Sequence, residues 1–114
     1  MAADRLNGHL DLVLLAVLAG GPAHGYAVIC GVRDRTGGSL DLTEGAVYPA
    51  LHRLEDAGLL VSDWHPVAGR RRRVYQLTDQ GATALRAGRR DWLGLVAAVE
   101  AVLTPARSPR AVTP

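Results

Sequence analysis

T-E-G-A-V-Y-P-A-L-H-R-L-E-D-A-G-L-L, residues 43–60, reads as one capped helix that runs into a strand. Thr43 has the hydroxyl of an N-cap, and Glu44 sits where the helix dipole favours an acid. Val47, Leu51 and Leu54 recur at i, i+4 and i+7 and, flanked by Ala50 and Ala57, form a stripe that faces a core. At about 100° per residue the opposite face carries Gly45, Pro49, His52 and Asp56, with Tyr48 and Arg53 on its shoulders. A proline inside a helix costs about 3 kcal/mol. A local rule broken on an outer face points to a demand made at that face.

Downstream, residues 59–65 read as a strand, 66–70 as a turn around Gly69, and 71–77 as the returning strand. Arg73, Tyr75 and Leu77 share one face of that strand, and Arg72, Val74 and Gln76 the other. The tip and first return residues carry the unbroken run Arg70, Arg71, Arg72 and Arg73. Upstream, residues 9–19 are almost wholly apolar, so that helix must be covered on more than one side. A second helix spans 24–36, with His24 at its start, and residues 40–42 form an extended link to the Thr43 cap and the 44–57 helix. Thr78 and Asp79 open a last helix that runs to Leu103. In it Leu85, Gly88, Trp92, Leu95, Val99 and Val102 alternate spacings of three and four, widened by Val96 and Leu103. Packed with Leu10 and Leu14 of the first helix, the residues Leu85, Trp92, Leu95, Val96, Val99 and Leu103 are the expected interface of a homodimer.

At 114 residues the chain has the length of one domain, and 48% of its residues are apolar. It has no Phe, two Trp and three Tyr, so small aliphatic side chains must fill the core. That deficit favours support from a second subunit. The net charge of +2 says little about partners, and the thirteen basic residues are all Arg, as an Arg-biased genome would give. Local density in the four-arginine run is the informative feature. Cys30 is the single cysteine, which excludes an internal disulfide. No spacing of the histidines with Cys30 matches a metal site, and no metal or cofactor is expected. The residues 10–18 are too few to span a bilayer, no signal-peptide pattern precedes them, and the chain reads as soluble and cytoplasmic. Without a glycine-rich phosphate loop, a nucleophile elbow or paired acids in a pocket, an enzyme is not expected.

The order helix, helix, helix, strand, basic turn, strand, long helix gives a mainly α fold with a small β-hairpin wing. This is a winged helix-turn-helix at 9–77, with a loose arm at 1–8, a C-terminal dimerisation helix at 78–103 and a disordered tail at 104–114. Its chemistry is that of binding double-stranded DNA. A helix fits the major groove and reads base edges, while guanidinium groups on the wing neutralise phosphates.

Three segments, A-H-G-Y-A-V at 23–28, the 43–60 segment quoted above and G-R-R-R-R-V-Y-Q-L-T at 69–78, resemble the PadR family. Tyr-Pro within a helix, followed by L-x-R-L-E, is the most specific part. The resemblance implies a dimeric winged helix-turn-helix regulator, usually a repressor, in the short form with one C-terminal helix. Carried over by position, Thr43, Gly45, Tyr48, Pro49 and His52 would lie at the DNA on the recognition helix, and Arg70 and Arg71 on the wing. The density of the arginine run adds Arg72. Some members of the family stack flat hydrophobic compounds on aromatics at the dimer interface. Trp92 is the residue placed for such an effector here, although a helical tryptophan more often simply packs. The alternative from another class is a winged-helix module that binds a protein partner and no specific DNA.

Overall fold

The structure, a computed structural model, describes Leu6 and residues 8–106. Its elements are α1 (Leu10–Leu18), β1 (Ala23–His24), α2 (Gly25–Arg35), α3 (Glu44–Asp56), β2 (Leu60–Val67), β3 (Arg70–Leu77) and α4 (Asp79–Leu103). The first three helices enclose the core, and the sheet closes it in the antiparallel order β1-β3-β2. Leu14, Leu15 and Leu18 of α1 meet Val28, Ile29 and Val32 of α2 and the predicted stripe Val47, Leu51 and Leu54 of α3. Leu42, Ala50, Leu60 and Tyr75 complete that cluster. Among the described residues Tyr75 is the one ring buried in it, in a core without Phe.

The helix starts follow the sequence closely. Thr43 accepts a hydrogen bond from the Ala46 N–H at 3.2 Å. Thr78 accepts one from Gly81 at 3.0 Å while its own hydroxyl donates to the Gly58 carbonyl at 2.8 Å. Each cap satisfies a donor that the first turn would otherwise leave unpaired. His24 caps α2 with its ring, accepting from the Ala27 N–H at its Nδ1 at 3.2 Å.

Three expectations need correction. Leu14, placed on the dimer seam by the sequence, has no exposed surface and belongs to the subunit's own core. The hairpin is longer and tighter than read: β2 and β3 pair from Leu60–Leu77 out to Val67–Arg70, leaving Ala68 and Gly69 as the turn. Both have positive φ, 52° and 79°, as a right-twisted two-residue hairpin requires. Alanine seldom takes that conformation, so the residue type hid how short the turn is. Third, Ala23 and His24 pair with Tyr75 and Val74, adding a short strand that the sequence reading missed.

Only the beginning of α4 belongs to this core. Gly81 is buried and Ala84 and Leu85 pack on the core, whereas every residue from Asp91 to Leu103 is exposed. The chain is accordingly elongated, with a radius of gyration of 18.1 Å. A compact domain of this length would have about 13 Å. Of the terminal segments, Leu6 packs against the core and Thr104 closes α4 through its hydroxyl on the Glu100 carbonyl. The rest of the expected arm, residues 1–5 and 7, and of the expected tail, residues 107–114, lies outside the described residues.

Candidate nucleic-acid interface

The outward face of α3 is open along its length. Thr43, Gly45, Pro49, His52 and Asp56 are all exposed there, and Tyr48 is half-buried. Pro49 has no N–H to give to the carbonyl of Gly45 four residues back. The Tyr48 ring lies across Gly25 at the start of α2. A Cβ on Gly25 would stand 2.5 Å from the ring, so the glycine makes room for the tyrosine. Arg53, on the other shoulder, is ion-paired with Asp11 of α1 and is thereby turned away from the outer face.

The wing sorts its four arginines by strand geometry. Arg71 and Arg73 lie on one face of β3, and Arg70 and Arg72 on the other. Arg73 is fastened inward: its Nε donates to the Ser62 hydroxyl at 2.7 Å, and Ser62 donates to the Glu55 carboxylate of α3 at 2.7 Å. The guanidinium itself stands 3.8 Å from Glu55. Arg73 thus ties the hairpin to α3. Arg70 and Arg71 are exposed, and Arg72 is half-buried. Between wing and helix lies an open cavity of about 270 Å³ whose walls include Tyr48, His52, Trp64, Arg71 and Arg72. Four of the residues singled out from the sequence therefore meet in one concavity. Trp64 was missed, because a cross-strand neighbour cannot be seen before the register is known.

Burial, and secondarily the charge of Arg72, hold the His24 imidazole below its ordinary pKa. The cap hydrogen bond also requires an unprotonated Nδ1. Above the unfolded value of about 6.5, both folded and unfolded chains carry a neutral ring and nothing is lost. As the pH falls through 6.5 toward the lower folded value, the unfolded chain takes up a proton that the folded one resists, and stability drops. Replacing His24 by Asn keeps a cap acceptor without the titration. Urea midpoints measured between pH 7.5 and 5.5 should fall less steeply for His24→Asn than for the unsubstituted protein. Equal slopes would remove His24 from the acid response.

At the far end of the molecule, the Trp92 ring meets the His9 ring edge-on, with centroids 4.9 Å apart. Leu12, Gly88 and Leu95 surround the pair. Of the expected seam residues, Leu10 and Leu85 are half-buried, and Trp92, Leu95, Val96, Val99 and Leu103 are exposed on the projecting part of α4. Among the described residues no three His, Cys, Asp or Glu side chains gather as a metal site would need. None of the described helices is long and apolar enough to cross a membrane.

The transcriptional regulator PadR-like family profile matches residues 14–87. The chain belongs to the PadR-like family. A PadR family transcriptional regulator from Eggerthella lenta superposes with a TM-score of 0.80 at 30% identity, over 91% of this chain and 89% of that one. A transcriptional regulator from Clostridium thermocellum shares the fold, with a TM-score of 0.82 at 24% identity, over 89% of this chain and 99% of that one. The transcriptional regulator Rv3488 of Mycobacterium tuberculosis is 53% identical over 49 residues, 43% of this chain and 46% of that protein. The chain thus matches less than half the length of that relative. This PadR-like chain has the winged-helix arrangement of its solved relatives, and its family is one of transcriptional regulators.

Proposed function

We propose that this PadR-like regulator is a homodimer that represses transcription by binding an inverted-repeat operator. The observation that carries the reading is the shared concavity between α3 and the wing, where Tyr48 and His52 stand opposite Arg71 and Arg72. In this reading α3 enters the major groove, with Thr43, Gly45, Pro49 and His52 toward the DNA and the bare Gly45 allowing close approach. The dipole end of α3 faces a phosphate, and Glu44 serves the helix rather than the DNA. Arg70, Arg71 and Arg72 neutralise phosphates beside the groove. The exposed apolar stretch of α4 supports the dimer: Leu95, Val96, Val99 and Leu103 line a projecting helix as an apolar patch of the kind that marks an interface. Two such subunits related by a twofold axis would present their α3 helices to half-sites about one turn of DNA apart.

The test separates positioning from reading. Replacing Arg70 and Arg71 by Ala should weaken binding to all sequences alike and lower the slope of log K against log salt by about one per lost phosphate contact. An unchanged slope would take the wing off the DNA. Replacing His52 by Ala should alter the preferred sequence, and uniform weakening would count against base reading by α3.

A further inference from the structure

We infer that Trp64 is a positioning residue for DNA binding, whose indole holds the Arg71 guanidinium on the recognition-helix side of the wing; the inference rests on the DNA-binding reading above. Trp64 is directly opposite Arg73 in the hairpin, and Arg71 lies two residues before Arg73, toward the turn, on the same face. The Arg73 guanidinium carbon lies 5.6 Å from the centre of the indole, and that of Arg71 lies 5.5 Å away. Both distances fall within cation–π range. Arg73 is anchored through Ser62 to Glu55 of α3, so one side of this stack is fixed to the recognition helix. The stack therefore runs from α3 through Ser62 and Arg73 to the indole, and from the indole to Arg71. The indole passes that fixed position on to an arginine that is otherwise a long, exposed side chain near a hairpin tip.

The arrangement also explains the cost of leaving such a ring in water. Trp64 is 53% exposed, on a strand whose neighbours Asp63 and His65 are polar. It contributes no surface to the buried core. It lines the cavity shared with Tyr48 and His52, where a guanidinium aimed by the ring faces the same space as the outer face of α3. An arginine ordered before binding loses less side-chain freedom when it meets a phosphate, and that saving appears as affinity.

The experiment uses the full chain and a short fluorescein-labelled duplex of mixed sequence, since phosphate contacts do not depend on sequence. Trp64→Leu should weaken binding about two- to five-fold, the range of an exposed cation–π contact, and Trp64→Phe should restore most of it. Arg71→Ala should weaken binding and lower the salt slope by about one. Adding Trp64→Leu to Arg71→Ala should then cost nothing further, because the ring acts through that arginine. In a Trp92→Phe chain, where Trp64 is the remaining indole, Arg71→Ala should also shift the emission of the free protein. Losses that simply add, or a Trp64→Leu chain that binds normally, would overturn the inference while leaving DNA binding intact. A duplex not bound by the unsubstituted protein would overturn both.

Discussion

Gly81→Ala should destabilise the protein by about 3 kcal/mol, a large share of the stability of a small domain. Gly81 sits in the first turn of α4, where that helix crosses the end of the hairpin. A Cβ there would stand 2.1 Å from the Leu59 carbonyl oxygen and 2.7 Å from a methyl carbon of Leu77. The oxygen is backbone, and it also accepts the Thr78 N–H at 3.1 Å, so it cannot step aside without breaking the junction. Gly88, two turns further along, is the control. Its Cβ would meet the tip of the Leu12 side chain at 2.9 Å, and that tip can rotate. Gly88→Ala also gains up to about 1 kcal/mol of helix propensity, so its net effect should be close to zero. Thermal melts should show a fall of more than about 10 °C for Gly81→Ala and little change for Gly88→Ala. Similar melting points for the two variants would contradict the close crossing of α4 over Leu59.

Leu95→Glu combined with Val99→Glu should leave each subunit folded and abolish the dimer. Both side chains are exposed in the single chain and belong to the part of α4 beyond the core, so charging them removes nothing from the subunit's core. Across a seam they would bury four unpaired carboxylates in a twofold dimer, a cost of several kcal/mol. The monomer would then hold one half-site at a time and lose the avidity of two, which can amount to a factor of about 10² or more. Sedimentation should show one chain per particle with an unchanged circular dichroism spectrum, and operator binding should fall with it. A dimer that survives both substitutions would move the subunit interface off α4. Leu14→Glu is the instructive contrast: with Leu14 fully buried, it should unfold the chain rather than divide it.

Why Leu14 was misplaced shows what a sequence of this kind conceals. A helix that is apolar almost all round carries no periodic signal to separate a core side from a partner side, so α1 could be recognised as a helix but not oriented. The alternation of polar and apolar residues oriented α3, and its open face emerged where the spacing put it. Hydroxyl residues ahead of acidic ones marked the starts of α3 and α4, because a cap is a local event written in adjacent residues. Long-range pairings were invisible for the opposite reason. Ala23 and His24 become a strand only because β3 lies beside them. Arg53 meets Asp11 from far along the chain, and the fastening of Arg73 depends on a register that puts Ser62 and Glu55 within its reach. The run of four arginines looked uniform in sequence. The fold divides it into an internal tie, Arg73, and the three side chains that the proposed function gives to DNA, Arg70, Arg71 and Arg72.

The measurement that bears most directly on the central claim is binding of the purified protein to DNA from immediately upstream of its own gene, by fluorescence anisotropy across a salt series. A homodimeric repressor should bind tightly, saturate at two chains per site and weaken steeply as salt rises. Absent or salt-insensitive binding would contradict it, and would leave the same fold serving a protein partner.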